Sequence, residues 1–479
     1  MDVTVVAQWK STLPDDDDHP YRTGAWRPQT TEFDAVDLEV EGELPADLEG
    51  VYLRNTENPL HPPIKKYHPF DGDGMVHSVS FRDGAASYRN RFVRTAGLLA
   101  EDEAGEALWA GIAENPLSSV RTDGWGARGK MKDASSTDVV VHAGVALTSF
   151  WQCGDVYQMD PLTLADRGRA SWGGAFPCGP GVSAHARVDE HTGELIFFNY
   201  GTRAPYLHCG TVDGRGTVTR YEPIELPGPR LPHDLAFTEH YVVLNDLPLF
   251  WAPDLLQRGL YATRFHRDLP SRLGLLPRNG SGRVRWFEFE PTYVLHWVNA
   301  FEDGDEVVVD GFFQGCPEPG DAVEHGPTDR MFRFLAADAL QTRLHRWRIN
   351  LVTGATREED LTDLCTEFGM INGRHRGRPY RHTYATTNKP GWFVMDGIVH
   401  HDTATGHMEE YRFPEGVFCS ETAVAPRVGG RGETDGYLVT LTVDTVNDRS
   451  DCLVFDATRL ADGPVATIRL PERISSGTH

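Results

Sequence analysis

Residues 291–312 read PTYVLHWVNAFEDGDEVVVDGF. Two runs of β-branched and aromatic residues flank Glu302, Asp303, Gly304 and Asp305, which are turn-forming types. The stretch predicts a hairpin of two short strands. The same grammar recurs in ELIFFNYG from Glu194, HYVVLNDLP from His240, GWFVMDGIVHHDTATG from Gly391, GYLVTLTVD from Gly436 and CLVFDATRL from Cys452. Short apolar runs closed by Gly, Asp, Asn or Pro predict an all-β body. The 48 glycines and 31 prolines are spread evenly, so no linker divides the chain and residues 1–479 are expected to form a single domain. At this length many short strands suit a β-propeller better than one sandwich. Helical signals are few; the best are PADLEGVYLR from Pro45 and PDLLQRGLY from Pro253, both read as short insertions on the β body.

Composition narrows the function classes. The chain carries 46 Lys+Arg against 70 Asp+Glu, a net charge of −24, which repels phosphate backbones and argues against a nucleic-acid partner. No stretch approaches the ~20 apolar residues that cross a bilayer, and the first residues, MDVTVVAQWKSTLPDDDDHP, lack a signal peptide's basic and apolar regions. A cytoplasmic location is the expectation. The seven cysteines are scattered and never form a CxxC pair, which disfavours a disulfide framework and a thiolate zinc site.

Twenty histidines are many for this chain, and four of them stand beside turn residues near strand-like runs. They are His185 in GVSAHARVDEHTGELIFF, His233 in GPRLPHDLAFTEHYVVLND, His296 in the opening stretch, and His479 in LPERISSGTH. Their intervals are 48, 63 and 183 residues. If a blade takes roughly 45 to 60 residues, these are about one, one and three blades, so four blades could turn one imidazole each toward a common metal. Other patterns read as turns. DGDG at residues 71–74 lacks the glutamate a calcium loop needs, since Arg82 occupies that position. HTG after Asp189 and HHDTATG from His400 read as hairpin turns with exposed histidines.

Around these histidines the sequence resembles the carotenoid cleavage oxygenases, iron(II) seven-bladed propellers that split alkenes with O2. The resemblance runs through GVYLRNTENP (50–59), HPFDGDGMVHSVSF (68–81), YRNRFVRT (88–95), AHARVDEHTGEL, LPHDLAFTEHYVV, SRLGLLPR (271–278), HWVNAFE, GRPYRHTY (377–384) and PVATIRLPERISSGTH. It covers the chain from about residue 35 in the family's order and leaves residues 1–34 as an N-terminal extension. It implies an axial iron site under a dome of loops and short helices. His185, His233, His296 and His479 become the ligands of one Fe(II) per chain. Four neutral imidazoles suit Fe(II) and leave up to two positions open for O2. They add no negative charge, so carboxylates behind them matter for ring tautomer and basicity. Glu367 in CTEFGMINGR and Glu421 in FCSETAVAPR match two of the three glutamates the family uses for this. The third falls on Gln152, whose amide oxygen accepts an N–H without charge. Thr137 in SSTDVVVHAG matches a threonine that crowds an open iron position and helps steer O2.

Family members cleave either long polyenes or phenolic stilbenes and phenylpropenes. The stilbene cleavers anchor the phenol with a Tyr after the VRT segment and a Lys before the carboxylate. Here those positions read Leu98, or its neighbour Leu99, and Trp151. A buried wall without a donor cannot reward a hydroxyl. The expected substrate is therefore a carotenoid or apocarotenoid, cleaved at one C=C bond into two carbonyl products, with Leu98, Phe150, Trp151 and Trp297 as candidate tunnel residues. Stilbene cleavage by the same chemistry is the alternative, and a propeller that binds an apolar ligand or partner without turnover is the alternative of another class. A substrate drawn from membranes predicts an apolar patch and weak peripheral association, for which LPLFWAPDLLQRGLY (247–261) is the candidate.

Overall fold

The computed structural model describes residues 1–112, 114–121, 131–176, 181–256, 263–280, 282–318 and 335–479. Among these the regular secondary structure is almost entirely antiparallel sheet, with three short α-helices and a few 3-10 turns. Its contacts divide it into two compact units, one of residues 1–184, 212–219 and 413–479, the other of residues 185–211 and 220–412.

In the first unit, strands Asp2–Gln8, Thr31–Val36, Ala85–Phe92, Asp73–Arg82 and Gly50–Asn58 lie side by side in that order. A second sheet is ordered Asp166–Arg169, Tyr157–Met159, Val145–Ser149, Asp138–His142. The C-terminal strands Gly436–Asp444, Arg449–Asp456 and Ala466–Arg469 are joined by Val40–Gly42 from the beginning of the chain, with Val40 opposite Ile468. That pairing ties residues more than 400 positions apart into one sheet.

In the second unit the opening stretch folds as predicted: Trp297–Asp303 and Glu306–Gln314 pair antiparallel, with Asp303 opposite Glu306 across the turn. Thr342–Asn350 and Thr356–Cys365 extend that sheet. A neighbouring sheet runs Ala236–Phe237, Tyr241–Asp246, Ser271–Pro277, Arg285–Phe289. Alternate side chains of these strands point between the two sheets. Val243, Leu275, Phe287, Val309 and Trp347 form the resulting core. Its largest members are almost fully out of water, and each such side chain contributes about 1.5–3 kcal/mol.

Three readings of the sequence are corrected. PADLEGVYLR makes only a turn at Ala46 and Asp47 and then the strand Gly50–Asn58, because pairing with Asp73–Arg82 outweighs the weak helix propensity of so short a run. A nine-residue helix, Ala96–Ala104, stands where none is predicted. Its signals are conventional: Thr95 Oγ1 accepts the Leu98 N–H at 2.9 Å, and Gly105 closes the helix at φ 72°. His400 and His401 lie buried on the strand Met395–Asp402 rather than exposed in its turn. Burial pushes both rings down to about 4. PDLLQRGLY is helical over Pro253–Leu256, and residues 257–262 lie outside the described residues.

Candidate metal centre

Each candidate ligand of the second unit stands just before the leading strand of a sheet. His185 precedes Arg187–Asp189, His233 precedes Ala236–Phe237, and His296 precedes Trp297–Asp303. A strand start is where backbone direction is already fixed by the ladder while the side chain has left it, so the ring is aimed by a rigid element. His185 departs further from regular structure, with φ at 65°, a left-handed conformation costly for a residue with a Cβ.

The three rings converge. One nitrogen from each of His185, His233 and His296 lies within 4.8 Å of the others, and all three residues are buried. His185 Nε2 and His233 Nε2 are 3.2 Å apart, and the ring centroids are separated by 4.8, 5.1 and 5.2 Å. Two nitrogens bound at right angles to one ion, each about 2.1 Å from it, lie about 3 Å apart, so the spacing fits a shared metal. The donor set is three borderline imidazole nitrogens, which suits iron(II) among other divalent first-row metals.

Glu367 opens the strand Glu367–Met370, and its Oε2 accepts the Nδ1–H of His296 at 2.7 Å. This bond fixes the tautomer and presents Nε2 as the lone-pair nitrogen. The same oxygen accepts the Phe368 N–H at 2.7 Å. Phe368, at φ 58°, brings its ring to 4.8 Å from that of His296.

In the first unit, His479 Nδ1 and Glu421 Oε2 make the same bond at 2.7 Å. The segment ISSGTH is packed, not frayed: Ile474, Ser475, Ser476 and Thr478 are buried. Arg54 Nη2 donates to the Ser475 carbonyl at 2.9 Å, and the Asn55 N–H donates to the His479 carbonyl at 2.6 Å. Gly477 is required for close approach, because a Cβ there would lie 2.7 Å from Thr56 Cγ2 and 2.9 Å from the Asn55 carbonyl oxygen.

The remaining candidates of this unit flank the paired strands Asp138–His142 and Val145–Ser149 or lie on the helix Ala96–Ala104. Thr137 is buried before the strand Asp138–His142, and its Oγ1 accepts the Trp151 N–H at 3.1 Å. Gln152 sits half-buried in the turn that follows, where the Cys153 N–H donates to the Phe150 carbonyl at 3.1 Å. Phe150 is fully buried, and Trp151 lies edge-on to Phe70 at 6.3 Å. Leu98 packs against Leu60, Met75 and Phe92 in a small core, while Leu99 next to it is exposed. In the second unit, Trp297 stands edge-on to Trp347 at 5.3 Å inside the main core.

One group near the rings was not predicted. Asp234, next to His233, accepts from Arg187 and from the Trp297 N–H at 2.9 Å. The dipeptide His233-Asp234 and an arginine two residues after His185 were the signal available in the sequence.

Comparison with known proteins gives the family. Residues 26–479 match the model of the retinal pigment epithelial membrane protein family. The chain belongs to that family, whose members include carotenoid cleavage oxygenases. Lignostilbene-α,β-dioxygenase isozyme III of Sphingomonas paucimobilis is 32% identical over 488 residues, covering 95% of each chain. Among solved structures, the lignostilbene dioxygenase of Pseudomonas brassicacearum superposes with TM-score 0.84 at 28% identity, over 96% of this chain and 98% of that one. The cobalt-substituted apocarotenoid oxygenase of Synechocystis superposes with TM-score 0.81 at 27% identity, over 94% and 96%.

Proposed function

We propose that this protein is a non-haem iron(II) dioxygenase that cleaves one C=C bond of a carotenoid or apocarotenoid with O2, giving two carbonyl products and incorporating both oxygen atoms. The observation that carries the reading is the buried convergence of His185, His233 and His296, with Glu367 holding the outer N–H of His296, in a chain of this family. His479, held by Glu421 in the same manner, is proposed as the fourth ligand of one Fe(II) per chain. The fold is read as one seven-bladed propeller with that iron on its axis, in keeping with the neighbours' TM-scores and the pairing of Val40–Gly42 with Ala466–Arg469.

When bound, the iron supplies O2 binding and the electrons that activate it. Everything else falls to the protein. The neutral imidazoles keep their lone pairs on the metal side because Glu367 and Glu421 hold the Nδ1 protons of His296 and His479. Gln152 is proposed to serve a third ligand through its amide oxygen, without charge. Thr137 is proposed to crowd the O2 position. Burial of the rings keeps water from competing with an apolar alkene.

Trp151 and Leu98, apolar where stilbene cleavers place Lys and Tyr, support the polyene, and Leu98, Phe150, Trp151 and Trp297 remain the proposed wall residues. The lignostilbene relative favours a second reading, cleavage of a phenolic stilbene by the same chemistry. No described helix is long and apolar enough to cross a membrane. We place the enzyme in the cytoplasm with peripheral membrane contact at residues 247–261, residues 257–261 lying outside the described set. The test is anaerobic reconstitution with Fe(II), then O2 and mass spectrometry of products from β-carotene, an apocarotenal, a hydroxystilbene and isoeugenol. Aldehydes from the polyenes are expected. Aldehydes from the phenolics alone overturn the substrate, and an iron-loaded enzyme that cleaves none of the four overturns the activity.

A further inference from the structure

We infer that Asp234 is a positioning residue: one buried carboxylate that sets the register of all three histidine-bearing segments of the second unit. Its side chain has no exposure to solvent. Oδ1 accepts the Leu235 N–H at 2.7 Å and Arg187 Nε at 3.2 Å. Oδ2 accepts the Trp297 N–H at 2.9 Å and a short bond from Arg187 Nη2. Arg187 Nη2 also reaches the Trp297 carbonyl at 3.4 Å, and Asn245 Nδ2 donates to the Asp234 carbonyl at 2.7 Å.

The placement of these partners is what matters. Arg187 is two residues after His185, Asp234 is one after His233, and Trp297 is one after His296. A carboxylate offers about four acceptor positions, and here all four are taken by donors from those three segments. The guanidinium binds as a planar fork, which fixes angle as well as distance. A slip of one residue along a chain moves a ring by about 3.8 Å, more than the separation of two nitrogens on one metal. Asp234 therefore does for the segments what Glu367 does for a single ring.

Stability alone is a poor explanation for this charge. A buried ion pair often contributes no more than an apolar pair of the same volume. The unit contains a comparison: Asp189, equally buried and on the strand that follows His185, pairs with Arg278 at 2.7 Å and caps a hairpin through the His191 N–H at 3.0 Å, and among the described residues its carboxylate meets neither the His233 nor the His296 segment. A structural role predicts the same consequences for both carboxylates. A positioning role separates them.

The inference rests on the metal reading of the triad, and its test distinguishes the two. Protein freed of metal with a chelator is titrated with Co(II), recording affinity and the visible d–d bands, alongside Tm and near-ultraviolet circular dichroism. Asp234→Asn leaves the amide one acceptor oxygen and removes the charge facing Arg187. We expect folded Asp234→Asn protein to bind Co(II) at least tenfold more weakly with altered bands, and Asp189→Asn to lower Tm while keeping wild-type affinity and bands. Wild-type affinity and bands in Asp234→Asn, or the same loss in Asp189→Asn, overturn the proposal. Should Asp234→Asn fail to fold, Arg187→Lys decides: it keeps the charge and loses the fork, so several-fold weaker binding with shifted bands supports the proposal and an unchanged site overturns it. Cobalt that stays bound in His233→Ala overturns the metal reading itself, and the proposal with it.

Discussion

His296 and His479 are held by the same bond on very different scaffolds. Each gives its Nδ1–H to a glutamate at 2.7 Å, Glu367 in one case and Glu421 in the other. His296 stands at the mouth of a strand whose ladder continues for seven residues, and its glutamate opens another strand. His479 ends an irregular segment that has no ladder of its own and is fixed by hydrogen bonds to Arg54 and Asn55 and by the close approach at Gly477. A sheet aims the first ring by periodic pairing, whereas the second depends on a few individually weak contacts. The carboxylate is the part the two share, so it should count equally in both; the scaffold should not.

The largest test of that comparison removes the shared part. Glu367→Gln and Glu421→Gln should each weaken Fe(II) binding by about 10- to 100-fold, read by anaerobic titration, because loss of such a partner typically costs that much. A large loss for one and none for the other would show that the two bonds are not equivalent. Next comes the scaffold. Gly477→Ala forces a Cβ against the backbone of the strand Gly50–Asn58, and overpacking of this kind costs about 1–3 kcal/mol. We expect a lowered Tm together with weaker metal binding. Gly304→Ala, at a turn with φ 60° where a Cβ meets no atom, should lower Tm without touching the metal.

The smallest effect concerns histidines kept neutral by burial. His400 and His401 have folded values near 4 against about 6.5 when unfolded, so the unfolded state takes up more protons between those limits. Their contribution is complete above about pH 6.5 and is lost as pH falls toward 4, by at most about 1.4 kcal/mol per pH unit for each ring. Urea unfolding at pH 7 and pH 5 should therefore show a smaller drop in His401→Leu than in the wild-type protein. An equal drop would mean that His401 is already protonated in the fold.

The difference between the two scaffolds also explains what could be read from the sequence. The hairpin at residues 297–314 was legible because alternation and turn chemistry are local. The helix Ala96–Ala104 was missed although Thr95 and Gly105 mark its ends, since its apolar residues form no clear stripe. HHDTATG holds its turn at residues 403–405, but the strand Met395–Asp402 runs on through His400 and His401 before the chain reverses, which a local turn signal does not reveal. The triad was legible only as spacing plus resemblance, and ISSGTH only by resemblance, because a buried irregular segment has no period. Asp234 was invisible as a partner of three segments, since such a meeting is a property of the fold alone.

The most direct test of the account is iron retention in His479→Ala, measured as iron per chain after anaerobic loading and gel filtration beside the wild-type protein and His233→Ala. The account predicts about one iron per wild-type chain and loss of that iron in both variants. Full retention in His479→Ala with loss in His233→Ala would contradict it, leaving three ligands from the sheets and no role for His479.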